Sequence, residues 1–302
     1  MKYPETMLVG WCQPARDTEE ARINNAINMI KDAISRSDEL NGLDIEVFVQ
    51  GSYANNTNVK ANSDVDVCVM LKSTVFTEFI DGLKNEDYGF AEGEISFADY
   101  KERVVRALQS KFGSENLTIG NKSVKIRSNS YHVDADAVIA FQFRNYKAIN
   151  SRRHDNFLEG IKFISDNGDE VINYPKLHIQ NGVVKNNNTN HEYKKLVRIM
   201  KRIRNNMVED RVIDGNTISS FLIECLIWNV PNKTITGYSS WGETVKQAIA
   251  YLYSKIDESN YQEWGEVSER LYLFVGRKWD AVDVKEFLLK TWDYLGYEDE
   301  DN

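Results

Sequence analysis

Alternating apolar and polar positions in the first half of the chain predict two strands on either side of a short turn. The first strand is predicted over residues 45–50 and ends at the turn Gly51-Ser52. The second is predicted over residues 65–70, directly after a polar segment. Because side chains on a strand alternate between its faces, Asp64 and Asp66 are expected to point the same way, roughly 7 Å apart.

The turn and the two acids together indicate chemistry on a phosphate group. Backbone N–H groups of the turn and the Ser52 hydroxyl can bind phosphate oxygens. Two acids at the spacing of Asp64 and Asp66 can hold divalent ions that lie about 3.5–4 Å apart. The alternative is a pair of solvent-facing acids on an edge strand. The apolar residues between them favour a functional site, because carboxylates on a buried strand are costly without ionic partners or metals.

A second pair of acids, Asp134 and Asp136, lies in another strand-like segment over residues 132–139. These two side chains also share a face of the predicted strand. Two-metal transfer uses a further carboxylate to hold the ion that activates the attacking hydroxyl. One acid of this pair is therefore expected to reach the Asp64 and Asp66 site from a neighbouring strand. The other is expected to be a turn or surface residue.

The remaining pattern divides the chain into an α+β first half and a helical second half. A capping box at 17–20 is expected to open a helix, and residues 76–114 are predicted to be mostly helical. A long loop is predicted over residues 166–191, which are rich in Asn and Gly. Further helices are predicted over residues 191–209, 216–229, 241–257, 259–275 and 282–294. We therefore expect a catalytic core over 1–150 and a mainly helical lobe over 151–302 that closes over the acids.

Composition limits the partners that this chain can have. With 302 residues, 42% hydrophobic and 27% charged, it is typical of a soluble globular protein, and no apolar run approaches the ~20 residues of a membrane span. The three cysteines are widely separated, which favours reduced, buried thiols and a cytoplasmic location. The net charge of −9 argues against a nucleic-acid partner and favours small nucleotides.

The acids and the turn resemble a known family. Gly51-Ser52, Asp64-x-Asp66 and a later strand Asp resemble the nucleotidyltransferase fold of the DNA polymerase β superfamily. The segment 136–141, Asp-Ala-Val-Ile-Ala-Phe, is similar to the third-acid strand of the cGAS/DncV-like nucleotidyltransferases (CD-NTases), with Ile139 where the family has Pro. This alignment makes Asp136 the third metal ligand, with Asp134 as the alternative.

The resemblance implies an architecture and a metal requirement. It implies a polymerase-β-like core, in which a mixed sheet packs with helices, and a helical C-terminal lobe, together forming a bilobal molecule with a central cleft. It also implies two Mg²⁺ ions, with Mn²⁺ as a substitute, held by Asp64, Asp66 and Asp136.

The similarity extends into the second half of the chain. Segments 196–202 and 218–224 resemble the helical lobe of the family, which implies that Lys201 and Ser220 bind the donor triphosphate. Ser219-Ser220 is expected to open a helix, where free N–H groups favour phosphate, and Lys201 adds a point charge. The family also places a base-stacking aromatic at Phe221, although the apolar pattern of residues 221–226 favours a core position. The charged residues of 194–204 could equally form a solvated helix face.

Size and two short segments, Tyr-Pro and Ile-Trp-Asn-Val-Pro, resemble the CdnE branch of CD-NTases. In that branch an active-site Asn favours pyrimidines. Asn173 and Asn181 flank the corresponding segment, and Asn181 is the candidate for contact with a base. The alternative for each Asn is a solvated loop.

The resemblance implies an EC 2.7.7-type enzyme of CBASS antiphage systems that joins NTPs into a cyclic dinucleotide and releases pyrophosphate. The substrates are expected to be ATP, pyrimidine NTPs or both, without a nucleic-acid template or a membrane. The protein is expected to be a monomer whose product activates a cyclic-nucleotide-dependent effector. The alternatives are a template-independent enzyme that extends RNA ends, a small-molecule nucleotidyltransferase and a catalytically silent nucleotide sensor. The negative charge disfavours the first, the chain length the second, and the retained acids the third.

Overall fold

The computed structural model describes residues 1–14, 20–59, 64–276 and 279–297. Two compact units are present. The sheet unit lies within Arg16–Ala54 and Ala61–Lys176, and the helical unit lies within Met1–Ala15, Asn55–Lys60 and Leu177–Asn302.

Seven strands and ten α-helices are described. The strands are β1 (Ile45–Gln50), β2 (Val65–Glu78), β3 (Leu117–Ile119), β4 (Val124–Ile126), β5 (Ala135–Asn145), β6 (Leu158–Ile164) and β7 (Glu170–Asn173). The helices are α1 (Glu5–Trp11), α2 (Glu20–Ser35), α3 (Gly51–Ala54), α4 (Phe97–Phe112), α5 (Pro175–Asn188), α6 (Tyr193–Glu209), α7 (Ser220–Trp228), α8 (Asn232–Ile235), α9 (Trp241–Asp257) and α10 (Ala281–Leu295). Short 3₁₀ helices lie at Asp38–Leu40, Asn85–Tyr88, Ser114–Asn116 and Lys147–Ile149.

The sheet unit is built on a mixed sheet with the order β1-β2-β5-β4-β3, and β6 joins β5 to β7. Strands β2 and β5 run parallel, whereas the other pairs are antiparallel. In the parallel pair Val65 lies opposite Ala135 and Asp66 lies opposite Asp136. This register brings the two predicted acidic strands side by side, and the predicted strands 45–50 and 65–70 are confirmed.

The core of the sheet unit lies between this sheet and the helices α2 and α4. Helix α4 begins where the Ser96 hydroxyl accepts a hydrogen bond from the N–H of Asp99 at 3.1 Å, as an N-cap does. Tyr100, Val104 and Leu108 follow at helical spacing, so one face of α4 is fully buried. The hydrophobic stripe of a helix and the apolar faces of the strands therefore account for the packing of this unit.

The helical unit packs around α6, which contacts α1, α7, α8, α9 and α10. Leu196, Met200 and Ile203 on α6 are almost completely buried, and Leu226 on α7 and Leu252 on α9 pack in the same core. Helix α6 is thus central to this unit rather than a surface helix.

The predicted loop over 166–191 is wrong for most of its length. The structure has strand β7 and then helix α5, which starts with Pro175 at its first position, where the missing N–H of proline costs nothing. Asn has a weak intrinsic preference for helices, so the run 186–188 looked like loop. Burial of His178 and Gly182 within the helical unit outweighs that preference.

Two other segments differ from the predicted helices. Residues 76–78 still belong to β2, and the helix predicted over 76–114 begins only at Phe97. Residues 259–275 contain turns and one isolated bridge between Gly265 and Tyr272 instead of a helix. Both segments contain aromatic and β-branched residues at intervals that resemble helical spacing. These residue types favour extended structure, so the spacing alone led to a wrong prediction of helices.

The sheet unit continues past residue 150, where we had placed the boundary, through β6 and β7. The segments Met1–Ala15 and Asn55–Lys60, which precede that boundary, belong to the helical unit. Within the predicted capping box at 17–20, residues 17–19 lie outside the described residues.

All three cysteines are buried and unpaired. In the described part of the chain, no helix combines the length and the apolar character needed to span a bilayer.

Candidate active site

Asp66 and Asp136 form the centre of the candidate site in the sheet unit. They lie directly opposite each other on the parallel strands β2 and β5, and both side chains are partly exposed. Asp64 precedes β2 by one residue and is exposed. Alternation in the sequence had predicted that Asp64 and Asp66 share a face. The pairing of β2 with β5 brings a third acid, Asp136, beside Asp66.

Burial and neighbouring like charges raise the pKa values of Asp66 and Asp136. Burial, followed by the charges of Asp136 and Asp64, raises the pKa of Asp66 to about 7, against a small opposing effect of Lys125. Burial also raises the pKa of Asp136, with Lys125 acting in the opposite direction. Lys125 is exposed on β4 opposite Asp136. The cluster therefore carries more negative charge than the protein neutralises.

Asp134 and Asp136 have different surroundings, although both had been candidates for the third acid. The carboxylate of Asp134 accepts a hydrogen bond from the backbone N–H of Ser128. Asp136 instead faces Asp66 across the strand pair and accepts a hydrogen bond from the Ser123 hydroxyl at 3.3 Å. The geometry favours Asp136 as the partner of Asp66.

The Gly-Ser turn lies against the same acid. Gln50 at the end of β1 pairs with Asp66, and α3 starts immediately afterwards at Gly51. Gly51 has φ +70°, and a Cβ there would lie 2.8 Å from Cγ of Asp66, closer than real side chains approach. Only glycine fits this position without displacing the carboxylate. Ser52 follows with its side chain partly exposed.

In the helical unit, Lys201 does not lie on a solvated helix face, which was the alternative for the charged residues of 194–204. Its side chain is only 2% exposed, and Lys194 and Arg198 are also buried. The Nζ atom donates to Oε2 of Glu224 at 2.7 Å and to the Thr57 hydroxyl at 3.0 Å. The alternative of a solvated face does not hold for these three residues, because α6 is covered by other helices on several sides.

The start of α7 also differs in part from expectation. Ser219 is the N-cap, and its hydroxyl accepts the N–H of Leu222 at 3.1 Å. Ser220 is exposed at the first helical position. Phe221 is 39% exposed, so the core position that we had favoured for it is wrong. Its ring stacks on Trp279 with centroids 5.6 Å apart and an interplanar angle of 23°.

Asn181, the predicted base contact, lies on α5 and not in a loop. Its amide nitrogen donates to the backbone carbonyl of Val267 at 2.9 Å. Asn173 ends β7 opposite Ile161. In the part of the chain that the structure describes, this bond uses the nitrogen of the Asn181 amide and leaves its oxygen for recognition.

Comparison with known proteins decides the family. Residues 27–197 match the model of the nucleotidyltransferase domain, and residues 180–296 match that of the cGAS/DncV-like nucleotidyltransferase C-terminal helical domain. The chain belongs to the CD-NTases. It is 40% identical over 298 residues to the cyclic dipyrimidine nucleotide synthase CdnE of Cecembia lonarensis, covering 98% of this chain and 99% of that protein.

Solved structures of CD-NTases agree with the fold. Elizabethkingia meningoseptica CdnE cyclic dinucleotide synthase with GTP and Apcpp has a TM-score of 0.82 at 32% identity, covering 98% of this chain and 100% of that one. Rhodothermus marinus CdnE c-UMP-AMP synthase with Apcpp and Upnpp has a TM-score of 0.85 at 27% identity, covering 99% and 98%. The predicted family and the mixed sheet with a helical C-terminal domain are thus confirmed.

Nucleotidyltransferases generally use divalent metal ions, and the acids of this CD-NTase suit them. Carboxylate oxygens are ligands that Mg²⁺ prefers, and a dication would relieve the repulsion that raises the pKa of Asp66. Among the described residues, no three acidic, histidine or cysteine side chains are grouped to enclose an ion. Mg²⁺ in such enzymes takes one or two carboxylates and completes its shell with water and substrate phosphates, so the donor set fits.

Sequence reasoning missed three residues of this CD-NTase that surround Lys201: Thr57, His178 and Glu224. A signal existed for Glu224, which is the single charged residue of helix α7. An acid in such an apolar helix implies a buried ionic partner. Thr57 and His178 carry no comparable signal in the sequence.

Proposed function

We propose that this CD-NTase joins two NTPs into a cyclic dinucleotide with release of pyrophosphate. The observation that carries the proposal is the pairing of Asp66 with Asp136 beside Gly51. The chain is also 40% identical over 98% of its length to a cyclic dipyrimidine nucleotide synthase. Each of the two bond-forming steps would use the same acids.

In this proposal Asp64, Asp66 and Asp136 hold two Mg²⁺ ions, and Mn²⁺ is a substitute. Bound divalent ions would supply charge stabilisation for the attacking hydroxyl and the leaving pyrophosphate. Asp66 must lose its proton to act as a ligand, so its raised pKa links metal binding to pH. Gly51 lets the turn approach Asp66, which keeps the Ser52 hydroxyl available for phosphate oxygens.

We assign contacts to the donor nucleotide in the helical unit to Lys201, Ser219, Ser220 and Phe221. Ser220 is exposed at the start of a nine-residue helix, where free N–H groups and the helix dipole favour phosphate. Ser219 acts indirectly, because its hydroxyl caps that helix. The exposed ring of Phe221, supported by Trp279, suits stacking on a base.

We propose a pyrimidine-containing product, with ATP, pyrimidine NTPs or both as substrates. The support is the 40% identity to the dipyrimidine synthase, together with the CdnE structure that holds Apcpp and Upnpp. The oxygen of the Asn181 side chain is the proposed contact to a base, because the nitrogen is bonded to Val267.

The proposed setting is a cytoplasmic monomer of an antiphage system that needs no nucleic-acid template. A net charge of −9 supports nucleotides over polynucleotides as substrates. Three buried, unpaired thiols suit a reducing compartment. The product would act on a cyclic-nucleotide-activated effector.

The test incubates purified protein with Mg²⁺ or Mn²⁺ and each labelled NTP, alone and in pairs, then treats the products with phosphatase and separates them by chromatography. A phosphatase-resistant dinucleotide that requires a pyrimidine NTP supports the proposal. A ladder of products would instead support extension of RNA ends, and the absence of product under all conditions would support a nucleotide sensor. Asp66→Asn protein is the control for contaminating activity.

A further inference from the structure

Four side chains in the helical unit form a buried polar quartet: Thr57, His178, Lys201 and Glu224. The Thr57 hydroxyl donates to Oε2 of Glu224 at 2.7 Å and accepts from Nζ of Lys201 at 3.0 Å. Oε1 of Glu224 accepts from Nε2 of His178 at 3.0 Å. Exposure of Thr57 and Glu224 is 0% and 4%, so these bonds are shielded from water.

This arrangement gives each oxygen of the Glu224 carboxylate at least one donor, and it uses two of the three N–H groups of the Lys201 ammonium. Oε2 of Glu224 accepts from both Thr57 and Lys201, and Oε1 accepts from His178. An ammonium group has three donors, and Nζ has two hydrogen-bond partners among the residues that the structure describes. One N–H of a charged and rigidly held lysine is left for a further acceptor.

A buried ion pair is weak evidence of a purely stabilising role. Removing two charges from water costs as much as their attraction returns, so apolar residues of similar size would often be at least as stable. Buried polar groups of this kind do fix the geometry of the side chains that they bond. Thr57 contributes to this fixing from a loop five residues after Ser52, and its hydroxyl bridges the acid and the ammonium.

We propose that Thr57 and Glu224 are positioning residues that hold the Lys201 ammonium so that its remaining N–H binds a phosphate oxygen of a nucleoside triphosphate. The inference rests on the proposed nucleotide-binding role of Lys201. Glu224 is the counter-ion of the buried lysine, and Thr57 fixes the direction of Nζ. Without the Thr57 hydroxyl, the ammonium keeps its ion pair but loses one of two fixed bonds.

The test replaces Thr57 by Val, which keeps the shape and removes the hydroxyl. Thr57→Ser is the rescue variant, and Thr291→Val is the matched control, since Thr291 is equally buried and donates to the carbonyl of Phe287 on its own helix. Two quantities are measured: KM and kcat with the NTPs that wild-type protein uses, and the affinity for inorganic tripolyphosphate with Mg²⁺ by calorimetry.

We expect Thr57→Val to raise KM and weaken tripolyphosphate binding about tenfold, the typical effect of losing one charge-assisted hydrogen bond, with kcat nearly unchanged. Thr57→Ser and Thr291→Val should behave like wild type. In a Lys201→Met background, Thr57→Val should add no further loss, because the ammonium that it positions is gone.

The inference is overturned if Thr57→Val matches Thr291→Val in both measurements, or if it weakens binding equally in the Lys201→Met background. If wild-type protein makes a dinucleotide, either result contradicts only the positioning role and not the proposed function. If wild-type protein makes no product, the proposed function fails, and tripolyphosphate binding still tests the positioning role.

Discussion

Two clusters of partly or fully buried charge, one in each unit, differ in how the protein compensates them. In the sheet unit, Asp66 and Asp136 are like charges on adjacent strands, and burial is the main cause that raises the pKa of each. The charges of Asp136 and Asp64 raise the pKa of Asp66 further. In the helical unit, burial alone would raise the pKa of Glu224, but the Lys201 charge and the His178 hydrogen bond outweigh it. The pKa of Glu224 therefore falls far below its usual value.

This difference in charge compensation indicates which of the two clusters binds a charged ligand. The pair of Lys201 and Glu224 is neutral within the protein, so it can serve as a rigid element. Among the described residues, the exposed Lys125 is the cation that lowers the pKa of Asp66 and Asp136, and it does not outweigh their burial. Perturbed acids of this kind are typical of functional sites, and a divalent cation supplies the missing charge.

The largest expected effect is a loss of catalysis when Asp66 or Asp136 of the acidic cluster is replaced. Asp66→Asn and Asp136→Asn should each lower dinucleotide synthesis about 10,000-fold, equivalent to about 5 kcal/mol, because a metal ligand is lost. Asp134→Asn is the matched control, since its carboxylate bonds the Ser128 N–H. Initial rates by chromatography measure the effect. If Asp134→Asn were inactive and Asp136→Asn active, the choice of the third acid would be wrong.

The next largest effect is a loss of protein stability when the buried pair of Lys201 and Glu224 is broken. Glu224→Gln should lower the free energy of unfolding by about 3 kcal/mol, because it leaves the buried Lys201 ammonium without its counter-ion. Glu258→Gln removes the partner of Lys255 in an exposed pair and should cost well under about 1 kcal/mol. Urea denaturation measures both. Equal losses in the two variants would show that the buried pair has no special role.

A smaller effect is expected where the turn meets Asp66. Gly51→Ala should destabilise the protein by about 2 kcal/mol and lower activity, since the new Cβ is strained at φ +70° and displaces the carboxylate. Gly42→Ala has a similar φ of +82° but open space around it, so it pays the backbone cost alone, about 1 kcal/mol. Activity of Gly42→Ala should equal that of wild type; a comparable loss in both would contradict the close approach.

The smallest effect is a dependence of stability on pH in metal-free protein. The pKa of Asp66 is raised from 3.8 to about 7 in the folded state, so the folded chain binds more protons than the unfolded chain between these values. Stability is then lost as pH rises through this window. Asp66→Asn should gain about 1 kcal/mol over wild type between pH 4 and 7, a modest amount because the carboxylate is partly exposed.

Glu224 should show the opposite sign in the same titration. Its pKa is lowered, so its contribution is complete above the ordinary pKa of 4.5 and is lost only under stronger acid. The stability difference between wild type and Glu224→Gln should therefore stay constant from pH 5 to 8. Thermal unfolding of the metal-free proteins across this range measures both trends, and parallel pH profiles for the two variants would contradict the comparison.

The acidic cluster was predictable because strand periodicity is local. Alternation placed Asp64 and Asp66 on one face, and the same rule applied to the segment of Asp136. That β2 and β5 are neighbours did not follow from periodicity, since strand pairing depends on contacts across about 70 residues of sequence. The alignment with the family supplied the choice of Asp136 over Asp134.

The compensated cluster was not predictable in this way. The charged pattern of α6 gave no sign that Lys201 is buried, because burial depends on how many helices cover α6. Helix α5 was missed because local preferences of Asn oppose a helix that tertiary packing stabilises. Phe221 is exposed although it lies in an apolar segment, and its stacking partner Trp279 lies 58 residues away in sequence, so no local pattern encodes its position.

The most direct test of the comparison is metal-induced stabilisation measured by thermal denaturation at pH 8. Millimolar Mg²⁺ or Mn²⁺ should raise the Tm of wild type and of Lys201→Met by about 3–5 °C, because the ion neutralises Asp66 and Asp136 only in folded protein. The Tm of Asp66→Asn should stay unchanged. An equal rise in Asp66→Asn, or no rise in wild type, would contradict the account.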